Sequence, residues 1–122
     1  MLVELEKRGG ICVLRLHGRF ATGKDSSYLR GKTTELKNSG CTRVLADFSQ
    51  VEYLDSTGIG FLIEVYTSVL KNAAGSFVLA NLNRRVREVL ELTRLANVMP
   101  IYPSEEAAME ALSQSISAKQ AS

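Results

Sequence analysis

Apolar and polar residues alternate at the start of the chain. Val3 and Leu5 stand between Glu4 and Glu6, a period of two that predicts a half-buried strand. Arg8-Gly9-Gly10 interrupts the pattern, and residues 11–16 resume it as a denser apolar run with Arg15 as its one charge. Two such runs across a Gly-Gly turn predict an antiparallel hairpin. Residues 18–24 read as a loop. Asp25 is placed to cap a helix to about Asn38, with Tyr28, Leu29 and Leu36 at helical spacing and Gly40 as its stop. Residues 43–48 are apolar on both faces, as a central strand requires. Residues 49–54 read as a connection into Asp55-Ser56-Thr57-Gly58. A period near 3.6 then carries Ile59, Leu62, Ile63, Tyr66, Val69, Leu70 and Ala73 to a stop at Gly75. The stripe Ile59, Leu62, Ile63, Tyr66 and Val69 is expected to face the sheet, against Val44, Leu45, Phe77, Val78 and Leu79. Residues 76–80 form a fourth strand. Asn83 caps a third helix through Val86, Val89, Leu90 and Leu95, and residues 98–102 form an edge strand. Pro103-Ser104-Glu105-Glu106 opens a last helix, expected to end near Leu112.

From the third strand on, strands and helices alternate. Parallel neighbours need helical crossovers, so the order predicts an α/β domain. Its sheet should be mixed and mostly parallel, of about four to five strands, with about four helices mainly on one face. The 122 residues fit one domain, expected over 1–113, with 114–122 as a small, polar, flexible tail. A net charge of +2, spread along the chain, excludes an argument for nucleic acid. Arg84, Arg85 and Arg87 cluster at the start of the third helix, where cations oppose the dipole, and are expected on a solvated face. No apolar run could span a bilayer, and the N-terminus lacks the apolar stretch of a signal peptide. Direct membrane insertion is not expected, and the cytoplasm is the expected location. Cys12 and Cys41 lack metal-ligand spacing, and with one histidine no metal site or cofactor is expected. Cys12 reads as a buried strand residue and Cys41 as a turn residue; in a reducing compartment both should be free thiols.

The enzymatic readings are weak. His17, Ser56 and either Asp47 or Asp55 could be drafted into a triad, but Ser56 lies in Asp-Ser-Thr-Gly instead of a Gly-x-Ser-x-Gly elbow. Gly31-Lys32-Thr33 echoes the end of a phosphate loop, yet Ser26 stands where its first glycine belongs and the segment reads as mid-helix. Gly58-Ile59-Gly60 lacks a third glycine; its plain reading is that both glycines let the helix start close to the sheet. No catalytic residue is assigned.

Asp55-Ser56-Thr57-Gly58 enters a helix. The first backbone N–H groups there have no internal partners, so Asp55 or Ser56 can accept from them as a cap. Ser56 would then sit at a surface corner. A phosphate there would add bulk and about two negative charges without unfolding anything. The plain alternative is a cap and nothing more.

The run from Val44 to Gly60, with Asp47 near the end of an apolar strand and Asp55-Ser56-Thr57-Gly58-Ile59-Gly60 opening a helix, resembles the signature of the STAS family, anti-sigma factor antagonists among them. The resemblance extends to the strand ending in Gly18, the helix around Val86 to Leu95, and Ser104-Glu105-Glu106-Ala107. It implies a STAS-like fold without catalytic activity. It also implies that the unphosphorylated protein binds an anti-sigma factor that is itself a serine kinase. That kinase would phosphorylate Ser56, with Thr57 as the minor candidate, and a serine phosphatase would reset the switch. The partner surface implied is Asp55, Ser56, Thr57, Gly58 and Ile59, with Arg19 and Ala21. The last two depart from the family, since relatives often carry acids in a Gly-Glu-Leu-Asp loop where Gly18-Arg19-Phe20-Ala21 stands here. Arg94 stands where relatives often have Gly; its plain reading is that the helix runs on. A constitutive STAS subunit of a scaffold or transporter assembly, unregulated by phosphorylation, is the alternative.

Overall fold

The computed structural model describes residues 2–20, 26–72 and 74–121; side chains at 19, 20, 26 and 114–121 lie outside that description. The N-terminal alternation folds as β1 (Leu2–Arg8) and β2 (Ile11–Phe20), paired antiparallel. Gly9 and Gly10 between them have φ of 57° and 83°, a left-handed pair that suits the twist of a tight hairpin and that side chains resist. Then come α1 (Ser26–Ser39), β3 (Arg43–Leu54), α2 (Ser56–Leu70), β4 (Ser76–Ala80), α3 (Arg84–Leu92), β5 (Ile101–Tyr102) and α4 (Glu105–Ala121).

The sheet order is β1-β2-β3-β4-β5, and every pair after the hairpin is parallel. Each parallel pair is joined by one helix. Crossovers of one hand along a sheet that grows in one direction put all three helices on the same face. Leu29 and Leu36 of α1, Phe61, Leu62 and Val65 of α2, and Val86 and Leu90 of α3 accordingly share one core with Leu14, Val44, Ala46 and Phe48. The opposite face carries Val13, Leu45, Val78 and Ala80, covered by Ala108 and Leu112 of α4. The α/β architecture is the one the alternation predicts.

Several boundaries differ from expectation. β3 continues through residues 49–54, expected as a connection, and β2 takes in Gly18, Arg19 and Phe20, expected as loop. The ladder between them shifts register after Arg15 and after Gly18. These irregularities turn the buried positions of β3 from alternation to Phe48, Val51 and Leu54, which no strand periodicity signals. The rest of that loop, residues 21–24, lies outside the described residues, and so does Asp25, the expected cap of α1.

The buried stripe of α2 is Gly58, Phe61, Leu62, Val65 and Val69. The expected stripe was rotated: Ile63 is 43% exposed, and Ile59 and Tyr66 only flank the core. This helix is apolar nearly all round, so two stripes satisfy the same period. It ends at Leu70, earlier than expected. A Cβ on Gly75 would run into the carbonyl of Val69, so the return to β4 requires glycine there.

α3 does not run on through Arg94. It stops at Leu92; Arg94 adopts a left-handed φ of 65°, and a 3-10 turn follows at Leu95–Asn97. Asn83 is its cap as expected, accepting from Val86 N at 2.8 Å. Arg84, Arg85 and Arg87 are exposed. The edge strand shortens to Ile101–Tyr102, and α4 passes the expected end at Leu112.

One polar cluster fastens α4 to its face. Arg15 donates from Nε to Glu6 Oε2 at 2.8 Å and from Nη1 to Asp47 Oδ2 at 3.0 Å, and its Nη2 pairs with Glu105 Oε1 at 2.8 Å. Asp47, 6% exposed, also accepts at Oδ1 from Ser49 N and from Asn81 Nδ2, each at 3.0 Å. Burial alone would raise the Asp47 pKa. The hydrogen bonds from Asn81 and Ser49 and the Arg15 charge outweigh it, so the carboxyl is held below its ordinary value.

Cys12 and Cys41 occupy the expected strand and turn, but they are joined as a disulfide and are not free thiols. Cys12 lies opposite Val44 on β3, and the turn at Gly40 brings Cys41 back beside it, with Cα atoms 6.1 Å apart. The two residues are 29 apart in sequence, which is why their spacing hides the contact.

Leu62, 1% exposed, is a test of the observed stripe. Leu62→Ala should cost about 2–5 kcal/mol in urea denaturation, and Ile63→Ala under about 1 kcal/mol. Comparable losses would contradict this face of α2.

Acid should weaken the Asp47 cluster. A depressed folded pKa stabilises the fold above the ordinary carboxylate value, and that contribution is lost as pH falls through the folded pKa. Asp47→Asn should therefore cost about 2 kcal/mol near neutral pH, with the gap to the native chain closing below about pH 4. A gap of equal size in acid would contradict it.

Candidate functional site

β3 delivers the chain to α2 at the carboxyl edge of the parallel strands, where ligands of open α/β sheets gather. Asp55 is the N-cap, with extended backbone at φ −111° and ψ −166°. Its Oδ1 accepts from Thr57 N at 2.9 Å and from Gly58 N at 3.4 Å, while its carbonyl accepts the first helical bond from Ile59 N at 2.9 Å. Of the two caps open in the sequence, Asp55 is the one used. Its charge sits at the positive end of the helix, where it is favoured.

That cap leaves Ser56 as the first helical residue, exposed, with its hydroxyl free of capping duty. Thr57 and Ile59 are half-buried and Gly58 is buried. The five residues Asp55, Ser56, Thr57, Gly58 and Ile59 thus share one corner, but Ser56 is its most accessible hydroxyl. Arg19 lies on the neighbouring strand opposite Tyr53; its side chain is outside the description, and Ala21 is outside the described residues.

Ser56 and Thr57 open onto a groove of about 260 Å³, bordered by Leu29 and Arg30 of α1 and by Gly60, Phe61 and Glu64 of α2. Arg30 and Glu64 are exposed charges that sequence reasoning missed. Part of this was legible: residues 56, 60 and 64 fall one helical turn apart and must share a face. Arg30 was not, because only the packing of α1 beside α2 brings it there. A Cβ added at Gly60 would meet nothing within 4 Å, so this glycine is not needed for close packing on the sheet. Its missing side chain widens the groove instead.

The drafted triad is not assembled. His17 Nε2 faces Glu4 Oε1 at 3.6 Å, and Asp47 is engaged on the α4 face with Arg15, Ser49 and Asn81. Among the described residues there is no cluster of three or more metal-ligating side chains, and no helix long and apolar enough to cross a membrane.

The STAS domain family model matches residues 3–108. The anti-sigma F factor antagonist of Paenibacillus polymyxa is 22% identical over 110 residues, covering 90% of this chain and 93% of that protein. An anti-sigma factor antagonist from Mycobacterium paratuberculosis superposes with a TM-score of 0.81 at 22% identity, over 91% of this chain and 92% of that one. The Bacillus cell fate determinant SpoIIAA, solved in its phosphorylated form, superposes with a TM-score of 0.67 at 23% identity, over 90% and 99%. With its site at the capped start of α2 and a matched span that runs from β1 into the first turn of α4, this chain belongs to the STAS domain family, a non-catalytic regulatory domain.

Proposed function

We propose that this protein is a phosphorylation-switched anti-sigma factor antagonist. In its unphosphorylated form it binds a serine-kinase anti-sigma factor, the kinase modifies Ser56, and a serine phosphatase resets it, all in the cytoplasm. The functional unit is taken as residues 1–113, with no part in the switch for 114–122. The observation that carries this reading is the exposed Ser56 beside an N-cap that another residue already fills.

The cap decides what a phosphate does. Thr57 N and Gly58 N already donate to Asp55, so a phosphate on Ser56 need not displace them. The helix dipole attracts the new charge and the Asp55 carboxylate repels it, and the two effects oppose each other in the folded protein. The phosphate therefore stays at the surface, and its cost falls on the complex. A contact surface that closed over an unmodified hydroxyl would have to bury about two negative charges without a matching cation. The groove fits this reading: it takes a side chain of the partner next to Ser56, between Arg30 and Glu64.

Phosphopeptide mapping, beside binding titrations with a kinase-type anti-sigma factor from the same cell, tests it. Ser56→Ala should bind as the native chain does and accept no phosphate. Ser56→Asp or phosphorylation should weaken binding about tenfold or more, with little change in melting temperature. Thr57→Ala should still be modified. A phosphate found only on Thr57, or equal affinity of both forms, would contradict the mechanism; protein from its own cell that binds but never carries phosphate would favour the constitutive scaffold.

Gly60→Leu separates the groove from the phosphate. The change should keep or raise stability, by up to about 1 kcal/mol from helix propensity, while filling the groove and weakening partner binding. Undiminished binding would place the partner elsewhere.

A further inference from the structure

We infer that the Cys12–Cys41 disulfide is a redox switch, opened through Cys41 by a small thiol that carries carboxylates. The inference does not depend on the reading of Ser56. The two sulfurs are unequal. Cys12 is 0% exposed, within β2, whereas Cys41 is half-buried and borders a surface groove of about 290 Å³. An incoming thiolate meets Cys41 Sγ first.

The groove is positive. Lys7 and Arg43 line it together with Gly10, Ser39 and Thr42, and no carboxylate is among its lining residues. Two cations beside a reactive sulfur concentrate an anionic thiol and favour the thiolate form that attacks. Ser39 serves the other sulfur. Its Oγ lies 3.8 Å from Cys12 Sγ and accepts from Cys41 N at 3.2 Å, so one hydroxyl touches both halves of the bridge. That hydroxyl donates its one proton to Leu36 O at 2.5 Å, which ties the bridge to the last turn of α1.

The chemistry balances with two molecules of reductant. The first thiolate forms a bond to Cys41 Sγ, the Cys12–Cys41 bond breaks, and its electron pair leaves on Cys12, which takes a proton from water. A second thiolate attacks the external sulfur of the mixed disulfide, releasing the oxidised thiol and a Cys41 thiolate. Two external thiols are oxidised and one protein disulfide is reduced. In a thiol-rich compartment such a bridge is transient, which is the behaviour of a sensor and not of a permanent staple. The closed state clamps the end of α1 to β2 across 29 residues, so opening it releases conformational restraint over that whole helix.

The test uses the full chain, oxidised, with glutathione as the anionic thiol and mercaptoethanol as the uncharged one. Intact mass and thiol titration follow opening, and peptide mapping locates the mixed disulfide. Oxidised protein should contain no titratable thiol and reduced protein two, with a melting temperature lower by roughly 10 °C that returns on reoxidation. Glutathione should be trapped on Cys41. Lys7→Ala with Arg43→Ala should slow opening by glutathione several-fold and slow opening by mercaptoethanol, which brings only its thiolate charge, by clearly less. Cys41→Ser, at the half-buried position, should hold the lower melting temperature whatever the redox buffer. Free thiols persisting under oxidised glutathione, a mixed disulfide on Cys12, or equal slowing of both thiols in the double variant would overturn the inference.

Discussion

The structure depends on the constraint that parallel strands must be joined by crossovers. β2, β3, β4 and β5 run in one direction, so each connection has to climb back over the sheet, and each does so as a helix. All strand ends therefore face one edge and all returning turns the other. The edge reached by β3 holds the start of α2, with Asp55 and Ser56. The opposite edge holds the entry to β2 and the turn before β3, with Cys12 and Cys41. The Ser56 corner and the disulfide lie at opposite ends of the same strands, and α1 spans the distance between them: Leu29 and Arg30 border the Ser56 groove, and Ser39 touches the disulfide.

Within that frame, one carboxylate sets the character of the corner. Asp55 satisfies helix donors that would otherwise draw in the Ser56 hydroxyl, and this leaves Ser56 presented to other molecules. Asp47, eight residues earlier and within β3, has the opposite fate. It is buried and bound by Ser49, Asn81 and Arg15, and Arg15 in turn reaches Glu105 of the far helix. Residue type alone does not separate these roles; burial and the number of donors aimed at each carboxylate do.

The element order, the hairpin, the caps at Asn83 and Ser104 and the position of Ser56 were legible in the sequence, because each rests on local chemistry: period, turn glycines and helix starts. What escaped was set by tertiary contact. The extension of β3 follows from irregular pairing with β2, so Val51 and Leu54 are buried out of step with alternation. The stripe on α2 was misphased because Ile59 and Ile63 compete with Phe61 and Val65, and only the sheet chooses between them. Nothing in an arginine favours the left-handed backbone of Arg94, and the one hint of it was the glycine that the family resemblance puts at that position. The disulfide and Arg30 depend on residues far apart in the chain.

The central claim is that modification of Ser56 is read at the surface and leaves the helix start intact. Amide hydrogen exchange at Thr57 and Gly58, compared between the unmodified and the Ser56-phosphorylated protein, tests this directly. Protection of both amides should be the same within about a factor of two or three, because Asp55 keeps both donors in either state. Loss of protection at both sites by tenfold or more on phosphorylation would show that the phosphate remodels the start of α2, and would contradict the account.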